Sequence, residues 1–123
     1  MKEGKNRQVI MRLIDAVSDN DKERIQSFFA NDTVFTNLLG STAVGQEAIW
    51  DAISGVHNQA EQVDWQVDNL VEDETGSVLT EGRLRYLIEG QWHEFEVNGA
   101  FEVKGSKITQ WRQPEYFSSV SAN

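Results

Sequence analysis

Side chains that could move protons or hold charge on a substrate are concentrated between Val78 and Phe117: Arg83, Arg85, His93 and Glu115. Arg83 and Arg85 stand two residues apart, so on a strand they point the same way. Turned toward a pocket they would hold an anionic or carbonyl group. Turned outward they would pair with Glu94 and Glu96 across a hairpin. Gly82 bears on the choice, because glycine inside a strand commonly marks a bulge, and a bulge there would bring both arginines inward. His93 shares the apolar face of Phe95 and Val97, where a histidine is either a satisfied core or rim residue or a proton carrier. Glu115 follows Pro114 near the end of the last strand. It is either a surface carboxylate or, if pocketed, the best available general base. His57 is the other histidine, at a helix end. No spacing of two histidines with a carboxylate occurs and there is no cysteine, so neither a metal site nor a cofactor is expected.

Helices and strands must position these groups. Val9, Ile10, Leu13, Ile14 and Val17 recur at helical spacing over about Lys5–Val17. Ser18 to Asp21 breaks that helix and offers N-caps for a second, about Lys22–Ala30, with Ile25, Phe28 and Phe29 on one side. Asp32–Asn37 reads as a short strand and Leu38–Val44 as a loop. Gly45-Gln46-Glu47 opens a third helix expected to turn Ala48, Ile49, Ala52, Ile53 and Val56 inward. The period then changes from about 3.6 to 2. Val63, Trp65 and Val67 alternate with Asp64, Gln66 and Asp68, a half-buried strand. Asp73 to Gly76 turns the chain into Ser77–Leu87, Glu89-Gly90 makes a tight hairpin into Gln91–Val103, and Lys104-Gly105-Ser106 leads into Lys107–Gln113. No repeat or linker interrupts residues 1–123, which are expected to form one domain. The fold class is α+β: three N-terminal helices closing one face of a strongly curved antiparallel sheet, with a pocket between them.

The 123 residues are enough to bury about two-thirds of the unfolded surface, and 39% hydrophobic with 10% aromatic content is globular. A formal charge of −9 argues against a nucleic-acid partner, which would need a clustered basic face. No run approaches the roughly 18 apolar residues of a membrane span. No membrane partner is expected, and a soluble cytoplasmic protein is the default.

The segments DAVSDNDKERIQSFFANDTVFTN, VGQEAI, VLTEGRLRYL and GAFEVKGSKITQWRQPEYF resemble the limonene-1,2-epoxide hydrolase family. That family lies in the nuclear-transport-factor-2-like superfamily, beside SnoaL-like polyketide cyclases and ketosteroid isomerases. The resemblance runs from about Val9 to Phe117 and implies a cone-shaped barrel. It also implies an apolar pocket walled by Phe35, Val63, Trp65, Phe95, Val97 and Trp111, with Arg85, His93 and Gln113 as polar members. The family's hydrolase chemistry uses an Asp-Arg-Asp set with a Tyr and an Asn that hold the attacking water. Asn37 matches that Asn, and Phe35 stands where the Tyr would be. Without a bulge, Gly82 and Leu84 replace the Arg and the first Asp. With a bulge at Gly82, Arg83 recovers the arginine and Arg85 replaces the acid. At the closing strand either Gln113 replaces the second Asp, or an insertion around Pro114 lets Glu115 take its place.

The resemblance therefore implies an enzyme of the epoxide hydrolase/polyketide cyclase type acting on an apolar, terpenoid or polyketide-like molecule. Asn37, Arg83 and Glu115 would be its catalytic residues. The alternative is a non-catalytic module on the same scaffold that binds a small apolar ligand. Trp92 lies among Glu94 and Glu96 on the outer sheet face, through which relatives of this fold commonly dimerise, so a homodimer is expected there.

Overall fold

The computed structural model describes residues 4–37 and 40–113. Helix α1 (Lys5–Ser18) buries Val9, Ile10, Leu13, Ala16 and Val17 on one stripe and packs mainly on strand β3 (Gln62–Glu72). Asn20, in the left-handed region with φ 53°, ends the turn that follows. Asp21 then caps helix α2 (Lys22–Ser27), its carboxylate accepting from the Arg24 N–H. Helix α2 is shorter than its apolar spacing predicts. Phe28 is its C-cap, and Phe29 and Ala30 already belong to strand β1 (Phe29–Thr36). Phe29 is wholly buried opposite Ile108, and the Ile108 N–H donates to the Phe28 carbonyl, so sheet pairing displaces the last helical turn.

A short strand β2 (Thr42–Val44) forms within the segment expected to be loop and pairs antiparallel with β1. Helix α3 (Gln46–Gln59) follows, and β3 leads into β4 (Val78–Ile88), β5 (Gln91–Lys104) and β6 (Lys107–Arg112). The sheet order is β2-β1-β6-β5-β4-β3. Two features differ from a closed antiparallel cone. The sheet is open, with β2 and β3 as its edges, and β1 pairs parallel to β6. The parallel pair arises because β1 and β6 are joined through α3 and the whole meander, not by a hairpin. Thr33, fully buried, holds the irregular register there: its hydroxyl accepts from the Ala30 N–H and donates to the Ile108 carbonyl. In the β4–β5 hairpin Glu89 and Gly90 both have positive φ, 51° and 77°, as a two-residue type I′ turn requires.

The core lies between α1, α3 and the concave sheet face. Ile10, Leu13, Ile25, Phe29, Ile49, Val78, Phe101 and Ile108 are each 0% exposed and form its floor. Among the described residues no helix is long and apolar enough to cross a membrane.

Candidate functional site

The phase of β4 determines what reaches the concave face. Its pairing with β5 runs without interruption from Val78↔Phe101 to Ile88↔Gln91. Alternation then places Val78, Thr80, Gly82, Leu84 and Tyr86 inward, and Glu81, Arg83 and Arg85 outward. An irregularity does occur beside Gly82, but in the neighbouring strand. The β3–β4 register shifts between Val67 and Asn69, which makes Asp68 the extra residue. A Cβ on Gly82 would stand 2.1 Å from the Gln66 carbonyl oxygen, so the glycine marks close backbone approach, not a bulge of its own.

Of the two orientations open to Arg83 and Arg85, the outward one holds, and the inward one that would have made Arg83 catalytic and Arg85 a pocket residue is corrected. Arg83 pairs with Asp68 at 3.2 Å, and Arg85 with Asp64 at 3.4 Å and Glu94 at 3.5 Å. Arg85 also lies over the Trp92 ring, 4.5 Å from its centroid. The tryptophan set among carboxylates is thus the platform of an outer-face charge network.

Helices and sheet enclose a cavity of about 220 Å³. Val17 of α1 and Ala52, Ile53 and His57 of α3 face Phe35 of β1, Trp65 of β3, Leu84 and Tyr86 of β4, Val97 of β5 and Trp111 of β6. Asn37 and Gln113, just past the ends of the parallel pair, complete the lining. The Gln113 N–H donates to the Thr36 carbonyl and keeps the two ends together. Trp111 is the hub of the aromatic wall. It meets Phe35 edge-on at 4.9 Å and stacks on Phe101 at 5.4 Å and Trp65 at 6.2 Å. The indole N–H groups of Trp65 and Trp111 are enclosed with no acceptor among the described residues.

Of the residues singled out in the sequence, Phe35, Asn37, Trp65, Val97, Trp111 and Gln113 are brought together here. Val63 is buried in the core opposite Tyr86 and does not line the cavity. Phe95 and His93 lie on the concave face opposite Leu84 and Tyr86, but toward the open end of the hairpin. Phe95 is 53% exposed there and His93 is also exposed, so neither lines the cavity. Glu115 lies outside the described residues. Asn37 is engaged in its own loop, its side-chain oxygen accepting from the Ser41 N–H at 3.0 Å.

His57 and Tyr86 were not singled out as site residues. His57 is 3% exposed, and Asn20 grips it at two points. The Asn20 amide nitrogen donates to the His57 carbonyl at 2.9 Å, and the Asn20 amide oxygen lies 3.1 Å from His57 Nδ1. Because the amide nitrogen is committed to a carbonyl, the oxygen faces Nδ1, and Nδ1 must carry the proton. Burial lowers the His57 pKa from 6.5 to about 4, so the ring is neutral and Nε2 holds the lone pair. The Tyr86 ring meets the imidazole edge-on at 5.4 Å, and burial pushes its pKa up to about 12, keeping the phenol protonated. A signal for both was present. Ile49, Ile53 and His57 are spaced by four on α3, and Tyr86 alternates with Arg85 on β4.

A larger groove of about 850 Å³ lies where Gly4 and Arg7 meet the turn from Glu72 to Gly76. It is open, acidic and without aromatic walls, so the inner cavity is the better ligand site. Among the described residues no three His, Asp or Glu side chains gather as metal ligands would.

This combination, helices over a curved open sheet with an aromatic cavity between them, has close counterparts. The SnoaL-like domain family matches residues 10–111, and the chain belongs to that family. A protein from Shewanella putrefaciens described as a SnoaL-like polyketide cyclase superposes with a TM-score of 0.77 at 13% identity, covering 98% of this chain and 86% of that one. A ketosteroid isomerase-like protein from Catenulispora acidiphila, solved with trimethylamine, gives 0.75 at 19% identity over 94% and 90% of the two chains. An LEH-like epoxide hydrolase of M. tuberculosis gives 0.72 at 22% identity over 89% and 80%. At these identities the likeness establishes the fold, which hosts several chemistries.

Proposed function

We propose that this chain is a small-molecule enzyme of the epoxide hydrolase/polyketide cyclase type, acting on a small terpenoid or polyketide-like substrate in the inner cavity. The observation that carries the proposal is the composition of the cavity wall. Aromatic and aliphatic side chains surround a few convergent polar groups, Asn37, His57, Tyr86 and Gln113. The volume of about 220 Å³ is below the roughly 300–1,000 Å³ of common ligand pockets, which favours a compact substrate. In this scheme Asn37 positions water or a carbonyl and Glu115 serves as the base. Arg83 has no part in it, being paired with Asp68 on the far face.

The test is incubation with small cyclic terpene epoxides and with enolisable aryl ketones, product being followed by mass spectrometry. Turnover is expected, with loss of at least about a hundredfold in Glu115→Gln, the lower range for a general base. Unchanged turnover in that variant would remove Glu115 from the mechanism. A second reading, a ligand-binding module without catalysis, is favoured by one observation: no carboxylate lines the cavity among the described residues. Saturable binding with no product after long incubation would identify it.

We also propose a homodimer through the convex face, where Trp92 is 42% and Leu79 39% exposed on the same side of the hairpin. Sedimentation equilibrium should give twice the chain mass, and Trp92→Lys should halve it. A monomeric wild type, or a dimer indifferent to that change, would exclude this interface.

A further inference from the structure

We propose that His57 Nε2 is a hydrogen-bond acceptor subsite that selects ligands carrying a hydroxyl group of the phenol or enol class. The inference rests on the reading of the inner cavity as the ligand site and names what that site recognises. Three observations support it. The imidazole lines the cavity while being almost wholly buried, so its exposed neighbour is the cavity and not bulk solvent. Asn20 occupies Nδ1 and, through its second contact to the His57 carbonyl, dictates that Nδ1 is the protonated nitrogen. Nε2 therefore carries a lone pair and has no hydrogen-bond partner among the described residues.

Nε2 is not among the sealed, unpartnered polar atoms of the described residues, so it opens on the cavity. A ligand that fills the cavity cuts it off from water, and a donor on the ligand replaces that contact, whereas a hydrocarbon of the same shape leaves the acceptor unpaired. The groups that touch the ring are Asn20, Trp50 at 6.0 Å and Tyr86 at 5.4 Å between centroids. None is a carboxylate, so no neighbouring anion favours the imidazolium over the neutral acceptor. The surrounding aromatic walls suit a flat ring, and the cavity volume admits one small ring. Asn20 is in this account a positioning residue. Its left-handed backbone, which asparagine tolerates better than most residues, sets the amide against the end of α3.

The probes are phenol and toluene, which share a ring and differ in hydroxyl against methyl. With the protein carrying ¹⁵N-labelled histidine, the unliganded His57 should show a protonated Nδ1 and an unprotonated Nε2. Phenol should shift the Nε2 resonance as a hydrogen bond forms, and toluene should not. The ratio of phenol to toluene affinity should fall about fivefold in His57→Phe, the value of one neutral hydrogen bond. The ¹⁵N measurement needs no variant, so it stands even if His57→Phe folds poorly. A proton found on Nε2 in the unliganded protein would overturn the proposal, as would equal Nε2 shifts with both probes. In the latter case the cavity would remain a ligand site. If neither probe binds, the cavity reading falls with it.

Discussion

Substituting Gly82 with alanine is expected to destabilise the protein by roughly 3 kcal/mol or more, at or beyond the upper end of what overpacking usually costs. The added Cβ would meet the Gln66 carbonyl oxygen at 2.1 Å and the Val67 Cα at 2.8 Å. Both are backbone atoms of β3 and cannot rotate away, so one strand must move. The strand that would move carries the Asp68 irregularity, and Trp65, next to Gln66 in that strand, lines the cavity. Gly55→Ala is the internal control. Gly55 lies in α3, where an added methyl group would meet nothing within 4 Å, and there alanine should stabilise by about 0.5–1 kcal/mol. Urea denaturation of the two variants measures both values. A Gly82→Ala protein as stable as the parent would mean that β3 does not cross β4 in the register described.

The second large effect concerns acid. Below pH 6.5 the protein should lose stability through His57, by roughly 3 kcal/mol once the pH is under 4. The sign follows from proton counts. Burial lowers the folded-state pKa from 6.5 to about 4, so between those values the unfolded chain holds the proton and the folded chain does not. The unfolded state then binds more protons, stability rises with pH, and acid favours unfolding. The contribution is absent above pH 6.5, grows as the pH falls, and is complete below the folded pKa. His57→Gln, which retains an amide able to meet Asn20, should flatten the stability profile between pH 4 and 6.5 relative to the parent. Carboxylates titrate in both proteins and largely cancel in the comparison. Urea midpoints across that range measure it, and parallel profiles would show that His57 is not buried as described.

Much of the scaffold was legible because it depends on local periodicity. The stripe Val9, Ile10, Leu13 and Val17 can bury only as a helix, and Val63, Trp65 and their alternating polar neighbours only as a half-buried strand. Glu89-Gly90 was readable as a hairpin for the same reason, since a two-residue turn constrains its own dihedrals. The end of α2 was not readable. Phe28 and Phe29 fit a helical stripe equally well, and only pairing with Ile108 across the chain draws Phe29 into the sheet. Strand β2 was missed because three residues of Thr-Ala-Val carry no period, and β1 alone makes them a strand.

The site divides along the same physical line. Residue types and spacing determined by themselves that helices precede a curved sheet, that Trp65, Val97 and Trp111 belong to apolar faces, and that the chain has no thiol chemistry. Whether Arg83 and Arg85 or Leu84 and Tyr86 face inward was decided by tertiary structure alone. A shift of one residue inverts every side chain of a strand, and the bulge that could have caused it sits on the partner strand at Asp68. His57 depended on the same level of organisation. Its position at a helix end says nothing of Asn20, thirty-seven residues earlier, whose amide chooses which imidazole nitrogen is left to face a ligand.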